Sequence, residues 1–164
     1  MNIFRILLYA CLLCLILLSS CTSNSSPKVD NTALANAFIS VWNTGEVNSL
    51  DTLLTPDFVR HSTPNSEAGA EVSGIEGMKS AVLVTRKAVS EFDFSAEEII
   101  EMDSVIVLRC RLKGIFNRTG KPFDVPSIHI LKVKDGKLSK HYSCLDHLDL
   151  YLQVGMKVVA PEKE

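Results

Sequence analysis

Beyond residue 30 the apolar positions recur first with a helical period and then with a strand period. Leu34, Ala37, Phe38, Val41 and Trp42 fall three and four residues apart, which puts them on one face of a helix. Asn31 or Thr32 is its expected cap and Gly45 its end. A second short helix is expected over residues 47–54, before Pro56, and a short strand or extended edge over residues 57–62. Residues 62–73 read as a loop. A third helix starts near Gly74, with Ile75, Met78, Ala81, Val82 and Thr85 on its buried side. After Ser90 alternation takes over, and strands are expected from Phe92 to Glu101 and over residues 105–116, 122–133 and 138–145. Their turns are Met102-Asp103-Ser104, residues 117–121 and the Asp135-Gly136 pair. A last helical turn runs through Gln153. Helices followed by an antiparallel meander make an α+β architecture, in which a curved sheet wraps a helix and leaves a cavity.

The opening residues follow a different pattern. Arg5 precedes an apolar run from Ile6 to Leu18, too short for a stable span, and Ser19 and Ser20 lead to Cys21. The order Leu18-Ser19-Ser20-Cys21 resembles a bacterial lipobox, which implies a lipoprotein signal peptide over residues 1–20 and acylation of Cys21; the alternatives are a signal peptide cut at a small-residue site, with Cys21 incidental, and an uncleaved anchor. Residues 21–30 are then a lipidated cysteine with a Ser-rich tether, residues 31–156 one folded domain, and residues 157–164 a tail. The expected location is the bacterial cell envelope, held to the membrane through Cys21; Thr22, in place of an inner-membrane-retaining aspartate, is compatible with the outer membrane. Of five cysteines, Cys110 and Cys144 remain in the domain; the strand assignment puts them on opposite faces, as two free, buried thiols.

With 164 residues and a net charge of −2, the chain suffices for one domain and has no basic footprint for nucleic acid. No metal-ligand or nucleotide motif stands out, so no metal or cofactor is expected. Strand alternation groups Tyr142, Cys144 and Asp146 on one face of the last strand and His141, Ser143, Leu145 and His147 on the other. His129 shares a face with Ser127, Leu131 and Val133 on the preceding strand. Arg109 interrupts an apolar strand, where it requires a carboxylate or an anionic ligand. Asp146 has two readings: a cap for the final helix, with Asp149 three positions on, or an acid/base group in a cavity.

Several segments together carry a family likeness: FISVWNTGEVNSLDTLLTPDFVRHS, IEGMKSAV, MDSVIVLRCRLKG and KDGKLSKHYSCLDHLDLYLQVG. In order and spacing the chain resembles the SnoaL-like polyketide (ester) cyclases of the nuclear transport factor 2-like superfamily, from about Ala33 to Gly155. It departs from that pattern at Tyr142, where the family usually has tryptophan, and after Gly114, where GIFNRTGK replaces a Gly/Thr-rich continuation. The resemblance implies a cone-shaped α+β barrel with a pocket inside it. It further implies cofactor-free cyclisation or isomerisation of a small carbonyl compound, and it allows a homodimer through the outer sheet face. Asp146 then becomes the proton-transfer group, with His129 orienting it or polarising a substrate carbonyl. His61, Arg109 and Tyr142 line the pocket, and His141 and His147 face outward. A noncatalytic module that holds a small apolar ligand or a partner at the envelope is the alternative.

Overall fold

The computed structural model describes residues 30–62, 71–157 and 159, so the expectations for residues 1–29, Cys21 included, lie outside the described residues. The first helix, α1 (Asn31–Thr44), begins one residue earlier than the sequence pattern suggests: Asp30 caps it, accepting from the Ala33 amide at 2.8 Å. Asn31 is instead buried and donates to the Met102 carbonyl at 2.8 Å. Gly45 closes the helix with φ +79°, a left-handed conformation that favours glycine. A 3₁₀ turn (Val47–Ser49) and α2 (Leu50–Leu53) lead into β1 (Leu54–His61) and a three-residue strand, β2 (Glu71–Ser73). Then follow α3 (Gly74–Ala88), β3 (Val89–Met102), β4 (Val105–Phe116), β5 (Lys121–Lys134), β6 (Lys137–Leu145) and α4 (His147–Gln153).

The six strands form one sheet in the order β2-β1-β6-β5-β4-β3. It is not a pure antiparallel meander, because β1 pairs in parallel with β6 while the other pairings are antiparallel. The parallel contact joins Leu54 to Leu138, too far apart in the chain for any local pattern to announce. Helix α1 lies on the concave face with Phe38 and Val41 buried, against Phe58, Ile106, Leu108 and Leu131. Its far end is fastened by Asn43, whose side-chain amide donates to the Phe94 carbonyl and accepts from the Phe94 amide, both at 2.8 Å. A second apolar cluster of Val89, Phe116, Phe123, Val125 and Val154 sits beneath α4.

A single extra residue decides what the end of β6 presents. Lys132 faces Lys140 and Val133 faces Leu138, so Ser139 is unpaired and its hydroxyl bonds the Lys132 carbonyl at 3.2 Å. Such a bulge reverses which side chains point inward beyond it. Leu138 and His141 are both buried, whereas Lys140, Tyr142 and Cys144 point out. Alternation counted straight through from Leu138 therefore assigns the second half of β6 to the wrong face.

Candidate functional site

Between α1, α4 and the concave face of the sheet lies a cavity of about 120 Å³. Phe92, Phe94, Leu112, Phe123, Leu150 and Val154 give it apolar walls, and no aspartate or glutamate is among the described residues that line it. Its polar groups include Arg60, His129 and His141, beside Trp42. Arg60 follows Phe58 on the inward side of β1 and is 8% exposed; its guanidinium carbon lies 5.7 Å from the Trp42 ring centre. Burial lowers Arg60 to about 10, so it stays charged at neutral pH.

His129 and His141 stand side by side on neighbouring strands. His129 Nδ1 and His141 Nε2 are 2.8 Å apart, and His129 Nε2 lies 2.9 Å from the Ser127 hydroxyl. Burial, followed by the Arg60 charge, pushes His129 down to about 3. His141 is held well below the ordinary imidazole range by burial first, then by His129 and Arg60. Both rings are therefore neutral at physiological pH.

Four buried nitrogens around this cluster, Arg60 Nε and Nη1, Trp42 Nε1 and His141 Nδ1, have no hydrogen-bond partner among the described residues. The three on Arg60 and Trp42 can only donate, and an unmet buried donor costs about 1–3 kcal/mol. Arg60, Trp42 and His141 are also among the residues that line the cavity.

The structure brings together one of the predicted site residues, His129. Asp146 does not face the cavity: it is exposed, and its carboxylate accepts the Asp149 amide at 2.9 Å as the cap of α4. Arg109 lies on the outer face, paired with Glu97 and, at 3.2 Å, with Glu98, because the more apolar Ile106, Leu108 and Cys110 take the inner positions of β4. His61 and Tyr142 stack outside the sheet with ring centres 5.0 Å apart, and His61 faces Glu71 at 3.4 Å. Conversely, His141 and His147, expected to face outward, line the cavity. His147 sits at the α4 wall, with Nδ1 3.1 Å from the Leu145 carbonyl. The residues that sequence reasoning missed are Arg60, His141 and Trp42. In DFVRH, alternation from Phe58 already aimed Arg60 inward and His61 outward. Among the described residues no cluster of three or more metal-ligating side chains occurs, and no helix is long and apolar enough to cross a membrane. Cys110 and Cys144 are free and on opposite faces as expected, but Cys144 is exposed rather than buried.

The SnoaL-like polyketide cyclase family model matches residues 32–154. Aklanonic acid methyl ester cyclase DauD of Streptomyces sp. (strain C5) is 27% identical over 150 residues, spanning 84% of this chain and 87% of that protein. Among solved structures, a Bacillus cereus ATCC 10987 protein described as a polyketide cyclase is 29% identical, with a TM-score of 0.66 over 76% of this chain and 80% of that one. A Catenulispora acidiphila DSM 44928 protein with a ketosteroid isomerase-like fold, in complex with trimethylamine, gives 0.69 at 16% identity, over 76% and 93% of the two chains. With its helices packed on this six-stranded sheet, a ketosteroid isomerase-like fold, and the family match over most of its described length, the chain belongs to the SnoaL-like polyketide cyclases.

Proposed function

We propose that the cavity catalyses a cyclisation or isomerisation of a small carbonyl compound, with Arg60 and Trp42 holding the oxygen that gains charge and the His129–His141 pair carrying the proton. The family supports a cyclase- or isomerase-type function, and a buried Arg60 that lines the cavity without a carboxylate beside it supports this site for it. A C–H bond beside the carbonyl breaks, and its electron pair forms the enolate double bond. The carbonyl π pair moves to the oxygen facing Arg60, and the proton goes to the His129–His141 pair. Through the 2.8 Å bond the two rings share the resulting charge. Burial holds both rings low first and the Arg60 charge adds to it; the forming enolate offsets the Arg60 part alone. The proton then returns to another carbon in an isomerisation. In a ring closure the enolate carbon attacks a second carbonyl, whose oxygen takes the proton.

Turnover of a panel of small ketones and esters, followed for wild type and three variants, tests this. His129→Gln and Arg60→Met lose roughly a hundredfold or more in kcat/KM, in the range for a lost proton carrier or oxyanion donor. Asp146→Asn stays within a few-fold of wild type. Loss of activity in Asp146→Asn with retention in the other two overturns the reading.

We also propose that lipid on Cys21 holds the domain at the envelope, which the Leu18-Ser19-Ser20-Cys21 order and the preceding apolar run support. Palmitate label incorporated equally by wild type and Cys21→Ala contradicts it.

A further inference from the structure

The shape and charge of the cavity narrow the substrate further. Its volume, about 120 Å³, is below the roughly 150 Å³ of a dry apolar cavity that takes one benzene. The α4 wall is pinned rather than loosely laid over the opening. Gln153 accepts from the Asp124 amide at 2.8 Å and donates to the Asp124 carbonyl at 3.2 Å and to Asp149 at 2.9 Å. Val154, next in sequence, is 1% exposed. At the charged end, Arg60 is more than nine-tenths buried, and two of its nitrogens lack an acceptor among the described residues. A buried guanidinium without a carboxylate is costly, and an anionic oxygen is its strongest partner. A partly open cavity of this size accommodates one short branched chain, with an anion at one end.

We propose that the substrate is a small 2-oxo monocarboxylate with a short branched apolar side chain. Its carboxylate and keto oxygens take the donors of Arg60 and Trp42, and its side chain lies against Phe92, Phe94 and Leu112. A 2-oxo acid places its two acceptors on adjacent carbons, so one donor cluster serves both the anchor and the oxygen that gains charge. Deprotonation breaks the C3–H bond, and its pair forms C2=C3. The C2 carbonyl π pair goes to the keto oxygen, and the proton passes to the His129–His141 pair and back to that oxygen, giving the enol. This inference rests on the active site proposed above.

The test uses 4-methyl-2-oxopentanoate, its methyl ester, 4-methylpentan-2-one and a naphthyl-substituted 2-oxo acid. Calorimetry reads binding, and NMR in deuterium oxide reads exchange at the carbon next to the carbonyl. The small acid is expected to bind at least thirtyfold tighter than its ester, the ketone and the naphthyl acid, and to exchange fastest. Arg60→Met removes that preference, and Arg60→Lys retains part of it, which separates lost charge from lost fold. Equal or tighter binding of the ester, ketone or bulky acid overturns the inference. If those compounds nonetheless exchange in wild type and not in His129→Gln, the active-site reading stands without it. Exchange unaffected by both His129→Gln and Arg60→Met, or no binding by any probe, overturns both.

Discussion

Two arginines on the two faces of one sheet are treated in opposite ways. On the outer face Arg109 is about half exposed and answered by Glu97 and Glu98, and nearby Arg111 is answered by Asp124 at 2.7 Å. On the inner face Arg60 is 8% exposed and has no carboxylate among the residues that share its cavity. The outer pairs are solvated and exchangeable, each worth about 1 kcal/mol or less. The inner cation is held at a cost in solvation that the fold alone does not repay, so it marks the face that does chemistry. Histidine divides in the same way: His61 stacks on Tyr142 outside, whereas His129 and His141 are buried, neutral and linked to each other inside.

The sharpest way to break this contrast is to make both faces apolar. Arg60→Met should lose roughly a hundredfold or more in turnover while gaining about 1–4 kcal/mol of stability, because a desolvated charge is removed. Arg109→Met should leave turnover intact and shift stability by about 1 kcal/mol or less. Urea unfolding and initial rates on the same preparations measure both, and a stability loss in Arg60→Met would contradict an unpaired charge.

Acid comes next. Between pH 6.5 and about 3 the unfolded chain binds a proton at His129 that the folded chain does not, and His141 acts in the same direction. Stability should therefore fall as pH drops below 6.5, by up to about 1.4 kcal/mol per unit for each ring, with no such contribution above it. Unfolding curves at pH 7, 6 and 5 should show a slope that flattens in His129→Gln.

A smaller effect separates the cap from the cavity. Asp146→Ala should cost about 1 kcal/mol, the usual loss of a helix cap, and leave turnover within a few-fold of wild type. The mildest contrast is between the thiols. Burial, followed by the Glu97 carboxylate, pushes Cys110 up to about 12, whereas Cys144 is exposed on the outer face. An aqueous thiol reagent should modify Cys144 in the folded protein and reach Cys110 only after unfolding.

Local physics made most of the fold legible in the sequence. The period of Leu34, Phe38 and Val41, the left-handed stop at Gly45 and the Asp135-Gly136 turn are short-range features, and the helices and long strands follow from them. The site was less legible because it depends on which way a strand faces. Alternation along β4 separates Arg109 from Ile106, Leu108 and Cys110 but does not choose the face, and the apolar content of those three decides it. On β6 the unpaired Ser139 shifts the count by one, which exchanges Tyr142 and Asp146 for His141 and Leu145. A bulge of this kind is fixed by pairing with β5, so it leaves little trace in the local pattern. The unmet donors on Trp42 and Arg60 come from elements that meet only in the folded chain, through the parallel pairing of β1 with β6.

The most direct measurement is a crystal structure of the protein with 4-methyl-2-oxopentanoate. The account predicts the ligand inside the concave face, with an oxygen at a charge-assisted distance of about 2.7–2.9 Å from Arg60 and its side chain against Phe92 and Phe94. A ligand seated at Asp146 or on the outer face beside Arg109, with the cavity untouched, would contradict it.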